Sequence, residues 1–491
     1  MHQTNTNAQN SNATKDSLRS LTQRVAQHWA QRTFDELPQT DVDMVRQRLL
    51  DTLAAGIAGI DAEETAAVRA GMLAIHGQAG SAAGAALWGT DLKLPAPQAA
   101  LVNGTAAHAR ELDDFDGCGH TGAVVVPAVM AVAQGCGADG ATVMTAIAAG
   151  YDLAGRMLNA AGGYRPHNAL GWHSTATCGT FGAALAAARV LGLDADRTAQ
   201  ALGIAGSYMG GVWAFMQDGA MTKRMHPGKA AETGVTAAYL AQAGMTGPAQ
   251  ILEAPWGGFF TTYCGAHAQP QRVLEQLGEF NAIALTGIKP YACCRASHGA
   301  IDALLELRAA HGLRAQDIAR IDVHCPAHTV KLVGSHRVDN VLEAQMSMPY
   351  ALAVTALSGR ADLPQFAPLQ TDDPEVRRLI AHTALHADLP AEHVHGPLLK
   401  LQCVDGRRLQ AQVQFAKGHA RNPISAAELR AKAQSLIAPP LGQARFEALE
   451  QAVDQLHAHH DFDTFAALLQ AASPAGVLPS SPRSHFLQDT Q

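Results

Sequence analysis

The sequence predicts a mainly α protein: a large all-helical domain with a smaller α+β lid domain inserted before the C-terminal helices. Three observations carry this. Apolar residues reach 47% while charged residues stay at 16%, and alanine, the strongest helix former, recurs in long runs. Glycine stops and polar caps punctuate helical patterns up to about residue 285. Between residues 286 and 423 the pattern turns to strand-like alternation, and helical signals then return. At 491 residues the chain is long enough for two cores.

In chain order, residues 1–16 are rich in Asn, Gln and Thr and are expected to be disordered. They lack the apolar core of a signal peptide. Residues 17–285 open the helical domain. Its most apolar stretch, Gly122 to Ala133, is too short to span a bilayer, so a cytoplasmic protein is expected. Phe181 to Leu191 reads as a helix ended by Gly192, with Asp194 capping the next. Lys229 to Ala243 reads as another, stopped by Gly244. In the α+β segment, Ile321, Val323 and Cys325 alternate with polar residues. Leu399–Val404 and Arg408–Phe415 flank Asp405-Gly406, a strong hairpin signal. Ser425 and Glu428 form a capping box behind Pro423. Residues 424–472 are assigned back to the helical domain, and 473–491 to a loose tail.

Composition excludes several classes. Net charge is −7 and aromatics are 5%, so neither a phosphate-binding stripe nor a base-stacking surface is expected. None of the eight cysteines forms a CxxC pair; Cys293 and Cys294 read as buried or semi-buried thiols. No Walker loop or convincing GxGxxG follows a strand. His324, Cys325 and His328, and His457, His459 and His460, have ligand-like types without a matching second half, so no metal is expected.

Four places share one design, a basic side chain at an expected helix start. They are His120 before the run containing Pro127, His173 before the helix through Phe181, Lys223, Arg224 and His226 before Lys229, and His298 before Ile301, with Lys289 just upstream. A helix start offers unpaired N–H groups and a partial positive charge. A Lys or Arg there strengthens an anion site, and a His adds a group that titrates near neutrality. Glu111, Asp113, Asp114 and Asp116 crowd the stretch from 108 to 116, just before His120, where a carboxylate could fix the His120 tautomer. If these stretches converge, they form a pocket for a small polycarboxylate.

Taken together and in order, NGTAAHARELDD (103–114), HTGAVVVPA (120–128), GWHSTATCGTFGAALAAARVLGLD (171–194), TKRMHPGKAAETGVTAAYLA (222–241), GMTGP (244–248), KPYACCRASHGAIDA (289–303) and SMPYALAVTAL (347–357) resemble the MmgE/PrpD family. That family includes 2-methylcitrate dehydratases, cis-aconitate decarboxylases and an iminodisuccinate epimerase. The resemblance implies a cofactor-free homodimer with its active site in the cleft between the two domains. It implies a pocket lined by Glu111 or Asp113, then His120, His173, Lys223, Lys289, His298 and Tyr350. Lys223, Lys289 and Arg224 would hold carboxylates, His120 or His173 would act as base oriented by Asp113, and Tyr350 or the other His would act as acid. Where cis-aconitate decarboxylases resemble Asp-Phe-Asp-Asp-Thr, this chain has Glu111 and Phe115 at the first and last positions. The expected reaction is therefore proton abstraction alpha to a carboxylate in a dehydratase. Epimerisation and cis-aconitate-type decarboxylation are the alternatives, and a non-catalytic polycarboxylate-binding protein is the alternative from another class.

Overall fold

The computed structural model describes residues 19–77, 84–460 and 462–471. The expected loose ends, 1–16 and 473–491, lie outside them. The described chain is mainly α, with a large helical domain and a smaller α+β part. Its helical elements begin with α1 (Leu21–Gln31), α2 (Gln39–Gly59) and α3 (Glu63–His76). A short antiparallel pair follows, β1 (Ala85–Ala86) and β2 (Lys93–Leu94). Then come α4 (Ala96–Ala109), α5 (Gly122–Cys136), α6 (Gly140–Ala160), α7 (Tyr164–Ala169), α8 (Ser174–Val190), α9 (Ala195–Ala205) and α10 (Thr222–Gln242).

Alanine and glycine make this stack dense. α10 packs between α4 and α8, and glycines let the backbones touch. A methyl group at Gly228 would lie 2.1 Å from the Leu101 carbonyl oxygen, and one at Gly104 would lie 2.6 Å from the Gly228 Cα. Only hydrogen fits at these crossings. The contact sets the end of α4, which carries His108, against the start of α10, which carries Lys223. Sequence placed that start at Lys229. The structure begins α10 at Thr222, with Pro227 inside it. A proline so near a helix start reads as a boundary; here, as the sixth residue, it leaves the Lys223 carbonyl without its i→i−4 donor, and packing against α4 and α8 carries the helix through it.

The α+β part contains α11 (His298–His311), β3 (Ile318–Cys325), α12 (Ala327–Val333), α13 (Val341–Gln345), α14 (Met348–Ser358), α15 (Leu363–Phe366), α16 (Pro374–Ala381), β4 (Thr383–Ala387), β5 (Leu398–Cys403) and β6 (Arg408–Gln412). Its sheet has the order β4-β3-β5-β6. β3 pairs parallel with β4 and antiparallel with β5. The hairpin at Asp405-Gly406 forms as expected, with Leu401 opposite Leu409 and Gly406 at φ 85°, a conformation that suits glycine.

The chain closes with α17 (Ala426–Leu441), α18 (Gln443–Asp454) and α19 (Phe462–Ala467). The Ser425–Glu428 capping box is present. α17 crosses α2, and its Lys432 ammonium reaches the buried Asp51 carboxylate at 2.5 Å and the Leu112 carbonyl at 2.6 Å. Among the described residues, no helix is long and apolar enough to cross a membrane. The described cysteines are free thiols, with Cys293 buried and Cys294 half-buried.

Candidate active site

The centre is built on the loop from α4 to α5. α4 ends at Ala109, and Glu111 takes the left-handed conformation at φ 52°, unusual for a residue with a side chain. That turn points its carboxylate inward, where it is 2% exposed. One oxygen meets the Lys223 ammonium and, at 2.5 Å, the Arg224 guanidinium. The other accepts from Lys289 at 2.7 Å. Two residues on, Asp113 lies 3.1 Å from His108 Nδ1 and 2.9 Å from His120 Nδ1. The His120 contact is a close approach without in-line hydrogen-bond geometry. Asp114 holds the start of α5, accepting from the Gly122 N–H at 2.9 Å and the Tyr151 hydroxyl at 2.8 Å. Phe115 exchanges both backbone hydrogen bonds with Gly287, which fixes the loop against the segment leading to Lys289.

The electrostatics follow from burial and these pairs. Burial raises the Glu111 carboxyl, but Lys223, Lys289 and Arg224 outweigh it and hold it well below the usual range. Asp113 is likewise held low against burial by His108, His120 and Lys289. Burial, together with Arg224 and Lys289, lowers Lys223 to about 8, against the pull of Glu111. For Lys289 burial is overcome by Glu111 and Asp113, and its value is raised. His120 is lowered by burial, with Asp113 opposing, so its imidazole is neutral near pH 7. His108 and His173 are pushed well below their usual value by burial. Lys223, Arg224 and Lys289 face Glu111 and Asp113, so the cluster keeps one more cation than carboxylate.

A cavity of about 260 Å³ opens from this cluster between the helical domain and the α+β part, a size suited to a small ligand. Glu111, His120, Lys223 and Lys289 reach it from one side. Phe115, Trp213, Leu332, Met346 and Val394 give it apolar walls.

The sequence-expected residues divide accordingly. Glu111, Asp113, His120, Lys223, Arg224 and Lys289 converge. His173 lies behind His120, with ring centroids 6.2 Å apart, and its Nδ1 is 2.9 Å from Nδ1 of His226. His298 opens α11 and sits behind Phe115, its Nε2 3.1 Å from the Cys293 carbonyl. Tyr350 is not brought to the cavity. Its hydroxyl donates to the Gln365 carbonyl at 2.8 Å and accepts from the Gln370 N–H at 3.0 Å. It ties down the chain after α15, away from the cavity lining that the acid role expected of it would need. His108 was missed. It is fully buried and links Asp113 to Lys223, whose ammonium is 3.1 Å from its Nε2. The signal was its place three residues before Glu111 at a helix end.

His108, Asp113 and His120 also present three ligand-type atoms within 4.8 Å of one another. The ammonium groups of Lys223 and Lys289 lie 3.1 Å from His108 and 3.6 Å from Asp113. Two fixed cations beside the donor set favour an anion over a divalent cation.

The order of these residues along the chain is matched by two family profiles. The MmgE/PrpD N-terminal domain covers residues 23–271, and the MmgE/PrpD C-terminal domain covers residues 291–457. The chain belongs to the MmgE/PrpD family. Among MmgE/PrpD relatives, the cis-aconitate decarboxylase of Homo sapiens is 27% identical over 486 residues, covering 95% of this chain and 98% of that protein. A cis-aconitate decarboxylase-like protein of Aspergillus oryzae, oryM, is 29% identical over 76% of this chain and 82% of its own length. A cis-aconitate decarboxylase of Aspergillus terreus is 28% identical over 77% and 82%.

Proposed function

We propose that this MmgE/PrpD protein is a lyase for a small polycarboxylate, and that it decarboxylates an unsaturated tricarboxylate of the cis-aconitate kind. The observation that carries the reading is a single cavity in which His120, Lys223 and Lys289 share one wall. Near-end-to-end similarity to a cis-aconitate decarboxylase supports carbon–carbon cleavage over the dehydration expected from sequence.

The steps follow from the charges. The carboxylate to be lost sits on a methylene next to the carbon–carbon double bond. Its C–C bond breaks, CO2 leaves, and the electron pair moves the double bond one position. Negative charge then builds on the carbon at the far end of the allyl unit and on its carboxylate. Lys289, whose charge is firmly held, and Lys223 stabilise that charge where it develops. Lys223 gives its proton to the carbon. The trianion and one proton thus yield a dianion and CO2. A proton from water then returns to Lys223, relayed by the neutral imidazoles of His120 and His108, each accepting one proton as it passes another on. The α+β part, residues 286–423, serves as a lid that excludes water. A homodimer in the cytoplasm belongs to the same reading.

Dehydration is the second reading. Glu111 and Phe115 stand where cis-aconitate decarboxylases resemble aspartate and threonine, and Phe115 lines the cavity. In that case neutral His120 takes the α-proton and Lys223 protonates the leaving hydroxyl.

Proton NMR in deuterium oxide separates these outcomes with cis-aconitate, citrate, 2-methylcitrate and iminodisuccinate. A terminal-alkene product carrying one carbon-bound deuterium, formed from cis-aconitate alone, is expected. It should vanish in Lys223→Ala and His120→Ala. Folded protein that leaves all four acids unchanged removes the reading. Turnover should also be unchanged by EDTA, given the two ammonium groups beside the imidazoles.

A further inference from the structure

The cluster around Glu111 carries a surplus of one positive charge, while a tricarboxylate brings three negative charges. Arg295 and Asp116 also line the cavity and offset each other's charge. The remaining cation of the lining is Arg165, on α7. It donates to the Ala391 carbonyl at 2.5 Å and has no carboxylate partner among the described residues. The neighbouring wall is formed by α12, where His328 and Thr329 also line the cavity. Thr329 is 2% exposed, and its hydroxyl has no hydrogen-bond partner. A buried hydroxyl in that state is costly unless a ligand completes it. His328 stands at the rim with its ring partly covered, and its value is lowered by that partial burial, then by the Arg165 and Lys331 charges. The imidazole is thus neutral and able to donate one N–H.

We propose that Arg165, His328 and Thr329 form a second anion-binding subsite, which takes the substrate carboxylate remote from the reacting carbon and selects tricarboxylates over dicarboxylates. The proposal rests on the polycarboxylate reading above. Arg165 supplies a planar, permanent charge, Thr329 a buried donor and His328 a donor at the rim. Two of the three come from the α+β part and one from the helical domain, so occupancy of the subsite also draws the two together.

The test is binding without turnover. Isothermal titration calorimetry on the full chain uses propane-1,2,3-tricarboxylate, which is saturated and has no double bond to shift, and glutarate, which has two carboxylates. Arg165→Gln and Thr329→Val should each weaken the tricarboxylate roughly tenfold or more. Glutarate should change by less than about twofold. Thr329→Ser, which restores the hydroxyl, should recover most of the tricarboxylate affinity. Circular dichroism melts report whether each variant is folded; if Arg165→Gln is not, the Thr329→Val and Thr329→Ser pair decides. Wild-type protein that binds the tricarboxylate while folded variants bind it equally well overturns the subsite and leaves the polycarboxylate reading standing. Equal losses for both ligands overturn the claimed selectivity. Wild-type protein that binds neither acid ends the polycarboxylate reading and the subsite with it.

Discussion

Lys223 is the residue on which the proposed chemistry turns. Burial holds its ammonium at about 8, and Glu111 is the strongest influence in the other direction. If the ammonium is the proton donor, activity falls on the alkaline side as it deprotonates, with a midpoint near that value. In Glu111→Gln the carboxylate that raises Lys223 is gone, so the alkaline limb should move to lower pH. The measurement is kcat from about pH 6 to 9.5 in both proteins. A limb that stays in place means Lys223 is not the titrating group. In sequence Glu111 stood among four crowded acids, and the family resemblance left it open against Asp113. Its left-handed backbone at φ 52°, which Asp116 shares at φ 66°, aims it at three cations, and no residue pattern announces that.

At the scale of elements, the site depends on how closely two helices approach. α4 and α10 touch at Gly104 and Gly228, and this sets His108 beside Lys223. Gly228→Ala forces a methyl group into the Leu101 carbonyl, a backbone atom that cannot swing aside. A loss of about 2 kcal/mol is expected from urea unfolding, with kcat falling because the two helix ends separate. Unchanged stability would show that the crossing is slack. Most elements were legible beforehand. The Asp194 cap, the Ser425–Glu428 box and the Asp405-Gly406 hairpin form where expected because each is decided by neighbours in sequence. The start of α10 was not, because packing against α4 and α8 carries the helix back through Pro227.

At the scale of the molecule, the C-terminal helices are part of the active-site scaffold. Lys432 crosses from α17 to bond the Leu112 carbonyl, between Glu111 and Asp113, and to neutralise Asp51, which is fully buried. Lys432→Ala strands that carboxylate, and a destabilisation of about 3 kcal/mol is expected in urea. Lys417, paired with Glu428 in water at the surface, is the control: Lys417→Ala should change stability by less than about 1 kcal/mol. Equal effects would mean that the buried pair is no more important than the surface one.

The sequence by itself determined the helical class, the strand-bearing segment, the family and the cluster residues Glu111, His120, Lys223 and Lys289 as candidates, because periodicity, caps and residue type are local properties. Tertiary structure alone decided which of those residues share a wall. It took Tyr350 out of the site by engaging its hydroxyl elsewhere and put His173 behind His120. It brought in His108, and it made Arg165 and Thr329 part of the cavity lining. The reason is physical: a charge acts through distance and burial, and both are fixed only when segments more than 100 residues apart pack together.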